Sequence, residues 1–225
     1  MATSEFSKKV SVLESDLPAS GSRVFWHGAL ALKRLLDLAF SSLLLLALTP
    51  LLVLIAIAIK LDSPGPVLYR SERIGKKGRV FTCLKFRTMV RDADRRLAEV
   101  MPLNEREGVL FKIGNDPRIT RLGRWLRKYS LDELPQFFNV LRGEMSVVGP
   151  RPPLASEVRK YKLDHLRRLQ VTPGITGLWQ VQGRQDPSFD SYVSLDLTYI
   201  ENWSLWLDLW IVLRTVGVVA AGTGA

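Results

Sequence analysis

The sequence predicts a mostly helical α+β chain, in which a membrane-associated helix precedes a basic domain with a small β-hairpin. Three observations carry that reading. Leu38 to Ile59 is 22 residues without a charge. Two short β-prone runs flank the turn-rich stretch Ile74-Gly-Lys-Lys-Gly-Arg79. Beyond them apolar residues recur at helical spacing, separated by Gly- and Pro-rich loops.

Taken in order, residues 1–30 are weakly patterned and read as a mobile tail, 31–62 as the membrane helix and 63–225 as one domain. The charge-free run measures roughly 33 Å as a straight helix at about 1.5 Å per residue, long enough to span a bilayer core. Lys33 and Arg34 precede it and Lys60 follows, so the positive-inside rule gives no orientation. Pro50 lies at its middle and favours a kink, with the Thr49 hydroxyl beside it to take up a freed carbonyl. Asp37 lies within reach of Lys33 or Arg34. A helix that bends at Thr49-Pro50 and returns to the same face fits these features, and so does a simple span that tolerates proline.

Asp62-Ser-Pro-Gly-Pro66 reads as a stiff turn ending that helix. Val67–Tyr69 and Val80–Phe86 read as strands, 91–100 as a helix, and Asp116-Pro117 as the start of another, with Ile119, Leu122, Trp125 and Leu126 on one face. Gly143 reads as a helix stop. Gly149-Pro-Arg-Pro-Pro153 and Pro173-Gly-Ile-Thr-Gly177 are rigid loops. Trp203, Trp206 and Trp210 recur at helical spacing, which suits either a headgroup interface or a core helix.

Net charge is +10, and residues 70–130 supply all of it with 17 Lys/Arg against 7 Asp/Glu. Such a field attracts the phosphates of nucleotides, lipids or nucleic acid, although charge clusters are often plain solvated surface. The single cysteine, Cys83, excludes an intrachain disulfide and a Cys-rich zinc site; His27 and His165 are too few for a His-based metal site.

The chemistry converges on Ser130-Leu131-Asp132-Glu133-Leu134-Pro135-Gln136. Ser130 and Glu133 match a capping box, which alone would explain Glu133. With Ser130 as the cap Pro135 is awkward; with Asp132 as the cap it falls where no N–H is needed. Either way both carboxylates sit at a helix N-terminus, whose dipole favours their ionised forms. An ionised aspartate can attack phosphorus, and a neighbouring glutamate can ligate Mg²⁺ together with phosphate oxygens. Lys85 and Arg87 share a strand face, and Arg118, Arg151 and Arg184 sit on loops beside proline or glycine, as phosphate-binding side chains would. No P-loop and no G-x-G-x-x-G is present.

These residues resemble the bacterial sugar transferases, the monotopic phosphoglycosyl transferases. The resemblance rests on Lys33-Arg34-Leu-Leu-Asp37, Ser63-Pro-Gly-Pro66, Lys85-Phe-Arg-Thr-Met89, Asp116-Pro-Arg118, Leu131-Asp-Glu-Leu-Pro-Gln136, Gly149-Pro-Arg-Pro152 and Pro173-Gly-Ile-Thr-Gly177 through Gly183-Arg184, in family order from about residue 30 to the end. It implies transfer of a hexose-1-phosphate from a UDP-sugar to a polyprenyl phosphate, with release of UMP, through a covalent enzyme intermediate. It implies Asp132 as nucleophile, Glu133 as Mg²⁺ ligand, Lys85, Arg87, Arg118 and Arg151 as phosphate contacts and Arg184 as the uridine-side contact. It also implies a re-entrant helix broken at Thr49-Pro50, interfacial C-terminal helices and a monotopic catalytic core in the bacterial inner membrane whose active site faces the cytoplasm. The expected partners are the UDP-sugar, the polyprenyl phosphate and membrane lipid, with no nucleic acid; a homo-oligomer stays open. The chain reads as the short form of the family, of the branch that starts exopolysaccharide, capsule or O-antigen repeats. The rival is a non-catalytic, membrane-attached basic protein that binds nucleic acid or anionic lipid, which the Asp-Glu pair does not favour.

Overall fold

The computed structural model describes residues 23–104, 113–183, 186 and 188–222, with side chains from residue 28 onward. Of the expected mobile tail over residues 1–30, residues 1–22 lie outside the described residues, as does Arg184, whereas 23–30 form the start of the long N-terminal helix. The elements run α1 (Arg23–Asp62), β1 (Leu68–Ile74), β2 (Val80–Phe86), α2 (Leu97–Val100), α3 (Arg121–Lys128), α4 (Gln136–Arg142), β3 (Ser146–Val148), α5 (Ala155–Arg159), β4 (Gly174–Thr176), α6 (Leu178–Gln182), α7 (Phe189–Glu201) and α8 (Leu205–Ala220). This is the mostly helical α+β architecture expected.

Strands β1 and β2 form the antiparallel hairpin, in register from Leu68↔Phe86 to Ile74↔Val80. β1 outruns the expected Val67–Tyr69 because cross-strand pairing with β2 extends it through the polar Arg70-Ser-Glu-Arg73. A second, parallel pair joins β3 to β4, Ser146↔Gly174 and Val148↔Thr176. The backbones of Gly149 and Gly174 approach so closely there that a Cβ on Gly174 would lie 2.1 Å from the Gly149 nitrogen.

α3 begins at Arg121 rather than at Asp116, because the Thr120 side chain accepts from the Gly123 N–H at 2.9 Å and caps the helix there. Leu126 is buried as expected, but Trp125 is exposed and meets Tyr129 edge-to-face. The expected 91–100 helix condenses to turns followed by α2.

α1 is one continuous helical element across Thr49 and Pro50, where the resemblance implies a helix broken at that position. The Thr49 hydroxyl donates to the Leu45 carbonyl at 2.8 Å. Pro50, lacking an N–H, frees the carbonyl of Leu46 instead, so the threonine does not replace the missing bond. One stripe of α1, comprising Asp37, Ser41, Leu45, Ile55 and Ile59, is buried on the domain. The opposite side exposes Leu43, Leu46, Val53, Leu54 and Ile57. By length and composition α1 is apolar enough to cross a membrane. Its outward face is a continuous apolar surface of the kind that seeks lipid.

Polar anchors fix the N-terminal half of α1. Lys33 and Arg34 do not pair with Asp37; each reaches the domain. Lys33 Nζ contacts Asp208 Oδ2 at 2.6 Å and the Val148 carbonyl at 3.1 Å. Arg34 donates to the Val140 and Leu141 carbonyls, at 2.6 and 3.1 Å, and so completes the C-terminal end of α4, where Gly143 adopts φ 82° as expected of a stop. Asp37 accepts from Ser146 Oγ at 2.7 Å and Val147 N–H at 3.1 Å. Asp37→Ala would strand two buried donors. It is expected to cost about 2–4 kcal/mol, read as a lower thermal midpoint in detergent and faster proteolysis of α1.

Of the three tryptophans, Trp203 is half-buried and donates to Asp208 Oδ2 at 3.1 Å, Trp210 packs against the core beneath Arg214, and Trp206 is 77% exposed. Two of the three thus pack against the domain, and Trp206 projects from it.

Candidate active site

The Asp-Glu pair lies in a single 3-10 turn, Leu131–Glu133, between α3 and α4. The capping box does not form. Ser130 takes a left-handed conformation, φ 53°, and its side chain caps nothing. α4 begins only at Gln136, behind Pro135, so neither carboxylate is a helix cap. The short helix that follows is not what governs their charge.

Burial does. Asp132 is 8% exposed, and its carboxyl is pushed up to about 6. Loss of solvent is the largest cause, Lys85 pulls the value back down, the Glu133 carboxylate raises it again, and Arg127 lowers it. The dipole expectation therefore has the sign of the net shift wrong. Glu133 is more open, and its Oε1 accepts from Lys85 Nζ at 2.7 Å.

Strand β2 and helix α4 fix that contact. Asn139, buried on α4, accepts from the Leu84 N–H at 3.0 Å and donates to the Thr82 carbonyl at 2.7 Å. One amide thus completes the outer edge of β2 in place of a third strand. It sets the register between hairpin and helix, and so places Lys85, the next residue, over the turn. The motif reading missed Asn139; a lone amide in the apolar run Phe137-Phe-Asn-Val140 was its signal.

Arg127 was missed as well. It is half-buried on α3, its Nε donates to Thr88 Oγ1 at 2.9 Å, and it feels the charges of Asp132, Asp116 and Glu133. α3 lies against the extended segment just after β2 so closely that a Cβ on Gly123 would stand 2.0 Å from the Thr88 carbonyl. That contact brings Arg127 to the site.

The other expected phosphate contacts divide. Arg87 is buried and spent on structure: its guanidinium donates to the carbonyls of Pro64 (2.7 Å), Ser63 (2.6 Å) and Ile59 (3.4 Å), closing the end of α1. It does not join Lys85 at the carboxylates, although the alternation suggested a shared face. Arg118 is likewise buried and paired with Asp116 through Nε and Nη2, at 2.9 and 2.6 Å, and reaches the Ala93 carbonyl at 3.0 Å. These hydrogen bonds hold the Asp116 carboxyl below its usual range.

Arg151 is the available one. It is half-buried, donates to no described residue, and feels the Glu133 charge. Its backbone carbonyl is held by Arg168 at 3.3 Å. Arg168 is itself fully buried between Asp196, at 2.6 Å, and the Tyr161 and Tyr192 hydroxyls.

Among the described residues no group of three His, Cys, Asp or Glu side chains could hold a metal. The available donor set is one open carboxylate, Glu133, beside a buried one, Asp132. That set fits Mg²⁺, which binds through one or two carboxylates plus phosphate oxygens, and does not fit a closed structural site.

The bacterial sugar transferase family model matches residues 28–222. The galactosyl transferase CpsE of Streptococcus agalactiae serotype III (strain NEM316) is 42% identical over 97% of this chain and 49% of its own length. The UDP-glucose:undecaprenyl-phosphate glucose-1-phosphate transferase of Klebsiella pneumoniae is 43% identical over 82% of this chain and 39% of its own. The exopolysaccharide production protein ExoY of Rhizobium meliloti (strain 1021) is 45% identical over 86% of this chain and 87% of its own. The chain thus spans half or less of the first two and most of the third.

Proposed function

Because the chain belongs to the bacterial sugar transferase family, we propose that it transfers a hexose-1-phosphate from a UDP-sugar to a polyprenyl phosphate, such as undecaprenyl phosphate, and releases UMP. The reaction would begin the membrane phase of exopolysaccharide, capsule or O-antigen synthesis.

One observation carries the chemistry: a buried aspartate, Asp132, flanked by the cations of Lys85 and Arg127 and by an open carboxylate, Glu133. A carboxylate oxygen of Asp132 attacks the sugar-linked phosphorus, and the bond to UMP breaks with its electron pair leaving on the UMP phosphate. A phosphate oxygen of the polyprenyl phosphate then attacks the same phosphorus and restores the Asp132 carboxylate. Splitting the transfer lets a soluble donor and a lipid acceptor use one site in turn. Lys85, Arg127 and Arg151 offset the charge of the donor. Glu133 and the donor's phosphates would hold Mg²⁺, which when bound withdraws charge from the phosphoryl oxygens.

α1 gives the lipid access. Both flanks of its charge-free run, near Lys33–Asp37 and Ile55–Ile59, contact the one domain. A perpendicular span would carry one flank away from it. That arrangement supports a helix which, bending at Pro50 within its one helical element, enters and leaves the membrane on a single side, the cytoplasmic side, where the UDP-sugar is.

One observation favours a second reading. A carboxyl near 6 is also suited to act as general base, with the lipid phosphate attacking the donor directly. The function itself is tested by UMP release across a panel of UDP-hexoses with polyprenyl phosphate. Release is expected for at least one donor, stopping on chelation and falling about 100-fold or more in Glu133→Gln. No UMP from any donor would remove the reading.

A further inference from the structure

Arg73 belongs to no motif; in the sequence it is one cation in a basic stretch. The hairpin register gives it a place. The pairs Tyr69↔Lys85, Ser71↔Cys83 and Arg73↔Phe81 put Arg73, Cys83 and Lys85 on one face. Cys83 is buried at the middle of that face, and its thiol feels Lys85, Arg73, Glu133 and Arg151 together. Those four charges therefore all lie near this face of the hairpin.

The Arg73 guanidinium is aimed, not loose. Its Nε donates to Ser71 Oγ at 3.2 Å and its Nη1 to the Pro152 carbonyl at 3.1 Å, while Ile74 N–H donates to the Pro153 carbonyl at 2.9 Å. These bonds tie β1 to the residues just after Arg151. Arg73 Nη2 donates to no described residue, and neither does the Arg151 side chain. Burial lowers the proton affinity of Arg73, and Arg151 lowers it further, so the two like charges act on each other. The buried acid nearby, Glu157, accepts from the Leu154 N–H at 2.8 Å through Oε2; its charge is felt by both arginines, but it forms no ion pair with either. Glu157 offsets part of the charge of both arginines from a distance, and Glu133 part of that of Arg151, but neither fills the donor positions that Arg73 Nη2 and the Arg151 side chain present, which a bound anion with several oxygens would take.

We propose that Arg73 is a substrate-contacting residue, which with Arg151 forms a two-arginine seat for the nucleoside-side phosphate of the donor, the group that leaves as UMP. This rests on the functional reading above. It divides the diphosphate between two places: the sugar-linked phosphate at Asp132, Glu133 and Lys85, the leaving phosphate at Arg73 and Arg151.

The test uses the full chain in detergent and compares inhibition of UMP-forming turnover by UMP, by UDP and by uridine. Arg73→Gln is expected to raise the inhibition constants of UMP and UDP about tenfold or more, with uridine unchanged. Arg73→Lys, which keeps the charge and loses the fork, is expected to fall between. Equal weakening of uridine and UMP would reduce Arg73 to a tether for the 149–153 loop and overturn the proposal; unchanged UMP inhibition would overturn it too. If Arg73→Gln fails to fold, Arg73→Lys with UMP inhibition equal to wild type overturns it. A wild-type chain that neither turns over nor binds UMP overturns the functional reading, and this seat with it.

Discussion

Asp132→Asn is expected to abolish UMP release, by about 1,000-fold or more, while making the protein more stable at neutral pH. The first half follows from chemistry: an amide of the same shape cannot attack phosphorus or hold a proton in its place. The second follows from burial. The Asp132 carboxyl is pushed up to about 6, chiefly by loss of solvent, against about 4 in an unfolded chain. The folded protein therefore binds this proton more tightly than the unfolded one. The carboxyl contributes most to stability when protonated, below about pH 4, and that contribution is lost as pH rises through about 6. Above that, the ionised group costs on the order of 3 kcal/mol. Asparagine removes the cost, so the variant's thermal midpoint at pH 7.5 is expected to rise by a few degrees, and the gain should vanish towards pH 4. A dead but more stable variant separates lost chemistry from lost fold. A variant both inactive and less stable at pH 7.5 would point to a structural aspartate.

The largest effect on stability is expected at Arg168. Its guanidinium pairs with Asp196 at 2.6 Å, takes the Tyr161 and Tyr192 hydroxyls, stacks on the Tyr192 ring and holds the Arg151 carbonyl. Both charges of the pair are about 1% exposed. Arg168→Met would leave the Asp196 carboxylate buried alone. Breaking one side of such a pair costs about 3–5 kcal/mol, or roughly 10 °C in thermal midpoint for a chain of this size. Burial already raises the Asp196 carboxyl even with Arg168 beside it. Without the arginine it would protonate more readily still, so the penalty should shrink as pH falls. Adding Asp196→Leu should recover part of the loss, because an unpaired charge costs more than an apolar contact. Equal stability of Arg168→Met and wild type across pH 5–8 would contradict this account of the hub.

Most of the architecture was legible because it is local. The apolar run, the hairpin turn and Gly143 each follow from residues within a few positions of one another. What was not legible is long-range. Arg87 and Lys85 stand two residues apart, yet one closes the end of α1 and the other meets Glu133. Nothing in Lys85-Phe-Arg87 says which does which. Asn139 and Arg127 looked like ordinary helix residues, because their partners Leu84 and Thr88 lie 55 and 39 positions away. The Ser130 capping box was a sound local pattern, overridden when the chain took a left-handed turn at Ser130 and started α4 beyond Pro135. The sign of the Asp132 shift was missed because burial is a property of the whole fold, and sequence position supplied only the dipole.

The covalent relay through Asp132 is tested most directly by intact-protein mass measurement after incubation with a UDP-sugar and Mg²⁺ in the absence of lipid. The account predicts one added hexose phosphate per chain, mapped to the peptide that carries Asp132, released on addition of polyprenyl phosphate and absent from Asp132→Asn. UMP formation that requires the lipid from the outset, with no added mass on the protein at any time, would contradict it.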